Sequence, residues 1–221
     1  MKLNIKIPQT LSDISIDKFM KFQAIDFKDK QELEFFNVKV LSIFYGIPFE
    51  TMQKMKATDV DMLVNEVVKV LNQKAEHQLK FEFEGIKYGF IPCLEEISYG
   101  ELIDLEKTRK INEMMAILYR PIIKETEKYY AIESYSGSEI NAEKFKKLGV
   151  DLALGALNFF LDISTDCMNY SLEFLKMKVD TQIKKEPTLV TSGTGILQSL
   201  KSLKETYSNL TRLLNYPIRK S

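Results

Sequence analysis

The chain has 221 residues, with Lys plus Arg and Asp plus Glu balanced at 31 each, and 45% hydrophobic residues that include 14 Phe and 10 Tyr. That much apolar and aromatic material builds a packed core and excludes a wholly disordered chain, and the length suits one domain with or without an appendage. Zero net charge speaks against a protein that depends on neutralising nucleic-acid phosphates, and it lowers the self-repulsion that keeps copies apart.

Cys93 and Cys167 stand far apart in apolar surroundings and are expected as reduced, buried thiols rather than a bridge. Residues 1–9 lack the apolar core of a signal peptide. No apolar run approaches the roughly 18 residues of a membrane span, so a cytoplasmic product is expected.

In chain order, Leu3, Ile5 and Ile7 alternate with Lys2, Asn4 and Lys6 before Pro8, the pattern of a short strand. Ser15 is placed as an N-cap, with Ile14 and Phe19 at the spacing of a hydrophobic staple. A helix over 29–45 is predicted to bury Leu33, Phe36, Val40, Leu41 and Phe44 and to stop at Gly46 and Pro48. Thr58 is predicted to open another, with Val60, Leu63, Val64, Val67, Val68 and Leu71 as its apolar face. Then Phe81 and Phe83, the pair Glu84-Gly85, and Ile86, Tyr88 and Phe90 form two alternating runs about a turn, which predicts a β-hairpin. A lone hairpin is marginal in water, so its aromatic face must lie on helices or gain a strand, from 128–132 or from 3–7.

Ser98 and Glu101 have capping-box spacing, and Ile97 and Leu102 staple spacing. They open a predicted helix that runs to Tyr119, burying Leu102, Leu105, Met114, Met115, Ile117 and Leu118, with Arg120 and Pro121 at its end. After a polar loop over 134–138, Asn141 caps a short helix, and a long apolar helix follows over 151–177. Residues 180–195 form a predicted linker. The segment 196–214 is an amphipathic helix with Leu197, Leu200, Leu203, Tyr207, Leu210 and Leu214 on one face, suited either to its own domain or to another protein.

The residues offer little chemistry. His77 is the single histidine, in a polar stretch, and is expected to be solvated; with two distant cysteines it builds no zinc site and no catalytic triad. Gly193-Thr-Gly195 lacks the Lys-Ser/Thr ending of a phosphate loop. Glu95 and Glu96 have no second acidic cluster at matching spacing and suit a solvated turn. No catalytic, cofactor-binding or metal-binding residue is expected, and no cofactor.

Several separated stretches resemble a loosely defined group of small structural and assembly proteins of tailed bacteriophages, including crAss-like phages. They are IPQTLSDISIDKFMKFQAI (7–25), VLSIFYGIPFETMQKMKATDVDMLVNEVVKVL (40–71), FEFEGIKYGFIPCLEEISYGELIDLEK (81–107) with MMAILYRPI (114–122), and LQSLKSLKETYSNLTRLLNYPI (197–218). YGELIDL followed by ILYRP is the most specific part. The resemblance implies a virion component or tail-assembly factor and brings no catalytic residues with it. Tyr119, Arg120 and Pro121 match the group's helix end, where Arg120 is a candidate protein contact.

The expectation is therefore an α+β fold, predominantly helical, with a bundle-like core, an aromatic β-hairpin and a tethered C-terminal amphipathic helix. Residues 1–179 form the mainly helical domain (helical unit 1–78, hairpin 79–92, helices 98–178), 180–195 the linker and 196–221 an interaction helix. The expected function is a non-enzymatic structural protein of a tailed-phage particle, portal- or tail-proximal or packaged. The alternatives are a tail-assembly chaperone absent from the mature particle and a small cytoplasmic regulatory binding protein. The expected partners are other phage structural proteins, further copies of the chain among them, with no membrane and no nucleic acid. The expected location is the host cytoplasm during assembly and then the virion.

Overall fold

A computed structural model describes residues 5–25, 35–93 and 97–183; in the last helix it describes side chains as far as 163 and at 165, 166, 169, 170 and 173. A 3-10 turn (Leu11–Asp13) leads to α1 (Ile16–Gln23), α2 (Phe36–Tyr45), α3 (Phe49–Met52) and α4 (Ala57–Leu71). Strands β1 (Lys80–Phe83) and β2 (Ile86–Phe90) follow, then α5 (Tyr99–Lys107) and α6 (Ile111–Leu118). The chain continues through β3 (Tyr119–Glu125), β4 (Tyr130–Ile132), α7 (Glu139–Phe145) and α8 (Val150–Ile183). The fold is α+β and mostly helical, with one antiparallel four-stranded sheet in the order β1-β2-β3-β4. Residues up to Ala156 belong to one compact unit, and α8 from Leu157 onward belongs to a second.

Local chemistry fixes the entry. The Asp13 carboxylate accepts from the amides of Gln9 and Thr10 (3.1 and 3.2 Å) and from Lys6 Nζ (2.9 Å), which holds its carboxyl far below the usual range. Ser15 caps α1 by accepting from the Lys18 amide at 3.3 Å, and both staple residues, Ile14 and Phe19, are buried. Residues 5–9 are not a strand. The pairing at this end is instead a single antiparallel bridge between Ser15 and Gly149, where Ile16 donates to the Leu148 carbonyl and Val150 to that of Ile14, both at 2.8 Å. Val40, Leu41 and Phe44 are buried on α2 as expected, Phe36 is half-buried, and Leu33 lies outside the described residues. Gly46 ends α2 in the left-handed region at φ +66°, its amide returning to the Ser42 carbonyl at 3.0 Å. Helix α4 starts from Lys56 rather than Thr58 and buries Leu63, Val64, Val67, Val70 and Leu71.

The hairpin forms at Glu84-Gly85, with both residues at positive φ (50° and 76°), as a type I′ turn requires. Glutamate is a poor choice there, because a side chain longer than Asn or Asp gains no local hydrogen bond in the left-handed region. Glu84→Asn is therefore expected to stabilise the protein by roughly 0.5–1 kcal/mol, read as a rise in thermal midpoint. It sacrifices only an exposed 3.6 Å pair with Lys147. An unchanged or lower midpoint would mean the turn does not carry that strain.

The strand that completes the hairpin is β3, not 3–7, and β4 joins one place further out. This corrects the single helix expected over 98–119. Helix α5 ends at Lys107, Thr108 is extended (φ −65°, ψ 141°), and α6 starts at Ile111. The burial of the two pieces gives the reason. Within α5 only Glu101 is buried, whereas α6 is buried nearly all round, with Ile111, Asn112 and residues 114–118 inside. The break at Thr108 separates the surface piece from the core piece. Leu102, expected inside, is exposed.

The hairpin's aromatic face does lie on helices. Tyr88 meets Phe145 of α7 edge-on (5.0 Å between ring centres), Phe81 stacks on Tyr88 at 5.4 Å, and Phe90 meets Tyr119 at 5.2 Å. Asn112 ties α6 to α7 by donating to the Ala142 carbonyl at 3.0 Å. Ser138, not Asn141, is the cap position of α7. In the second unit, Phe159 and Phe160 meet edge-on at 5.9 Å, while Asp162, Thr165, Asp166, Asn169, Tyr170 and Glu173 are exposed. Among the described residues no helix is long and apolar enough to cross a membrane.

Candidate functional site

Arg120 was expected at a helix end as a protein contact, and the structure places it elsewhere. It is the second residue of β3, paired with Gly89, and its side chain is only 11% exposed. Its Nη2 lies 2.5 Å from Glu101 Oε1, in a side chain that is 4% exposed. Glu101 thus serves twice, since its Oε2 accepts from the Ser98 amide at 2.7 Å in the capping box. Glu101 and Asp104 sit three apart on one face of α5. The Asp104 carboxylate accepts from the Tyr135 hydroxyl at 2.5 Å, and the Arg120 guanidinium lies 5.7 Å from the centre of that same ring. Burial first, and then the Asp104 carboxylate, push the Tyr135 phenol well above its ordinary value.

Asp104 of this cluster also lines a cleft of about 840 Å³. One wall is the α5–α6 corner, with Asp104, Lys107 and Thr108; the other is the segment after β4 and the start of α7, with Glu133, Ser138 and Asn141. Ile86, Tyr88, Ile117 and Pro121 also line it, as does Ile140. Two of these apolar residues are open to solvent, Ile140 at 77% and Ile86 at 40%. Both signs of charge line the rim, from Glu133, Glu139, Lys107 and Lys144. Glu113 is already engaged by Thr108 (2.7 Å) and Lys110 (2.9 Å), and the lysine holds its carboxyl below the ordinary value. Among the described residues no group of three or more His, Cys, Asp or Glu is placed to hold a metal ion.

His77 is not solvated as expected. Its ring meets Phe90 edge-on at 4.6 Å, and its Nδ1 is 3.5 Å from the Tyr119 hydroxyl, which donates to the Gln78 carbonyl at 2.6 Å. Burial lowers its pKa below the ordinary 6.5. The unfolded chain then takes up a proton that the folded chain refuses between those two values. Stability is therefore full above about pH 6.5 and falls as the pH drops below it. Thermal midpoints between pH 7.5 and 5.5 are expected to decline, and His77→Gln to flatten that decline. An equal decline in the variant would assign it to other groups.

Cys93 is a free, half-buried thiol. Glu95, Glu96, Gly193, Gly195, Leu197, Leu200, Leu203, Tyr207, Leu210 and Leu214 lie outside the described residues, as does the side chain of Cys167. Tyr135 is the site residue that sequence reasoning passed over. The available signal was one large aromatic in an otherwise small and polar, glycine-bearing loop. No family model matches the chain, and neither curated proteins nor solved structures gave a match.

Proposed function

We propose that the chain is a non-enzymatic structural protein of a tailed-phage particle that works through protein–protein contacts in virion assembly. The observation that carries the contact role is the cleft, a mostly polar concavity with charges of both signs in which the side chains of Ile86 and Ile140 are left exposed beside Tyr88, Ile117 and Pro121. Apolar groups left open beside a concave surface mark interaction sites more often than isolated exposed residues do. The partner that suits it is a segment of another particle protein bearing an apolar side chain with charged neighbours on either side. The phage setting, near the portal or tail or inside the particle, is supported by the resemblance of the YGELIDL and ILYRP stretches. On this reading the amphipathic 196–214 segment is a second contact element, tethered to a bundle-like helical core.

Quantitative mass spectrometry of purified particles tests the proposal, with Ile140→Asp as the matched variant. Presence at a fixed ratio to the portal protein, lost or reduced in the variant at equal expression, is the expected result. Absence of the wild-type chain from particles, with abundance in infected cells, would replace this reading by the assembly chaperone. Normal incorporation of the variant would remove the cleft as the contact surface.

A further inference from the structure

Glu133, Ser136, Gly137 and Ser138 line the cleft, and the stretch 133–138 that carries them is fastened at its two ends. The amide of Glu133 donates to the Pro121 carbonyl at 2.9 Å, and the Ser138 carbonyl accepts from the Ala142 amide at 2.9 Å. Between these two anchors, among the described residues, no backbone–backbone hydrogen bond holds 134–137. What holds the stretch is the Tyr135 side chain, whose hydroxyl also meets the Ser138 side chain at the far end of the stretch. Tyr135 reaches across to α5, where its hydroxyl bonds to Asp104 and its ring lies beside Arg120. Two residues on, Gly137 stands at φ +105°, a conformation open to glycine and rarely to other residues, with empty space where a side chain would be.

We infer that residues 133–138 are a strap over the cleft, pivoting at Gly137, and that the Tyr135–Asp104 bond is the clasp that holds it closed. The geometry favours a clasp over simple packing for two reasons. The bond joins the two walls of the same cleft, Asp104 on one and Ser136 and Gly137 on the other. The segment it holds also has no ladder or helix of its own to keep it in place when the bond is lost. A hydrogen bond to an ionised carboxylate is among the stronger single contacts, so its state sets the open population. The inference deepens the docking role of the cleft and rests on it for its purpose, since an opened strap widens the surface that a partner meets. The existence of the clasp does not depend on any partner.

The test is therefore made on the isolated full-length chain. Spin labels are placed at Lys107→Cys and Ser136→Cys, on opposite walls, in a background with Cys93→Ser and Cys167→Ser, and their separation is measured by pulsed dipolar spectroscopy. The clasped protein is expected to give one narrow distance. Tyr135→Phe keeps the ring and removes the hydroxyl, and is expected to add a longer distance, with the open-to-closed ratio raised about tenfold or more. Asp104→Asn keeps an acceptor without the charge and is expected to shift the same ratio less. Identical narrow distributions in all three proteins would overturn the clasp, because the strap then stays closed without the bond. A broad distribution in the unsubstituted background would overturn it as well, because no closed state exists to be held. Loss of particle incorporation by Ile140→Asp bears on the docking role alone, so the two ideas fail separately.

Discussion

Gly155→Ala is expected to destabilise the protein by about 3 kcal/mol, enough to be seen as a large drop in urea midpoint. In an exposed helix interior the same change stabilises by about 1 kcal/mol, because alanine loses less backbone freedom on folding. Here the sign reverses. A Cβ on Gly155 would drive into the Glu76 carbonyl oxygen and stand 2.7 Å from its carbon and 3.2 Å from the Cα of His77. All three are backbone atoms, and the backbone there is itself pinned. Ala75 is buried, His77 leans on Phe90, and the Gln78 carbonyl takes the Tyr119 hydroxyl. Nor can α8 retreat easily, since residues 152–156 around the glycine are all buried. Gly100→Ala is the matched control: its Cβ would come no closer than 3.7 Å to the Tyr135 ring, an ordinary contact. That variant is expected to be neutral or slightly stabilising. Equal stability of Gly155→Ala and wild type would show that α8 does not approach the 75–77 segment as described.

What was legible in the sequence was what a few consecutive residues decide. The caps at Ser15 and Ser98, the glycine stop at Gly46 and the Glu84-Gly85 turn depend on the backbone within about one turn, and all stand where the sequence put them. The failures are non-local. Leu102 and Leu105 fall on the opposite side of a continuous helix from Ile111, Met114, Met115 and Leu118, so the apolar face does shift across Thr108, but the shift alone does not say what the chain does there. Tertiary contacts decide it, because α6 enters the core and Tyr119 is needed in a strand beside Phe90. The inward face of α5 was inverted for the same kind of reason. Leucines at 102 and 105 promised an apolar face, but Glu101 is the residue turned inside, toward an arginine nineteen positions away. The site was less legible than the fold. Arg120 was singled out for a surface role and is internal, and Tyr135 sat within a loop that composition alone describes as polar.

That arginine carries the second large prediction. Arg120→Ala is expected to cost about 3–5 kcal/mol, because it strands the Glu101 carboxylate in a site that is almost closed to water. Glu101→Ala is expected to cost at least as much, since it strands the guanidinium and also removes the acceptor of the Ser98 amide. The pair itself is a different matter. The Nη2–Oε1 approach is close but off the hydrogen-bonding angle, and among the described residues Arg120 Nε is buried without a hydrogen-bond partner. Two charges have left water for an imperfect geometry, the case in which apolar replacement of both recovers the loss. Glu101→Leu with Arg120→Met is therefore expected to fall within about 1 kcal/mol of wild type, although each single change is severe. A double-mutant cycle in urea reads the coupling directly. Single variants that each cost less than about 1 kcal/mol would place the pair with surface pairs such as Lys21–Asp17, solvated and weak. A double variant as unstable as the sum of its parts would show that each charge serves the fold through other neighbours. For Arg120 the candidate is the Tyr135 ring, and Arg120→Lys, which keeps the charge but loses the flat guanidinium, then separates charge from stacking.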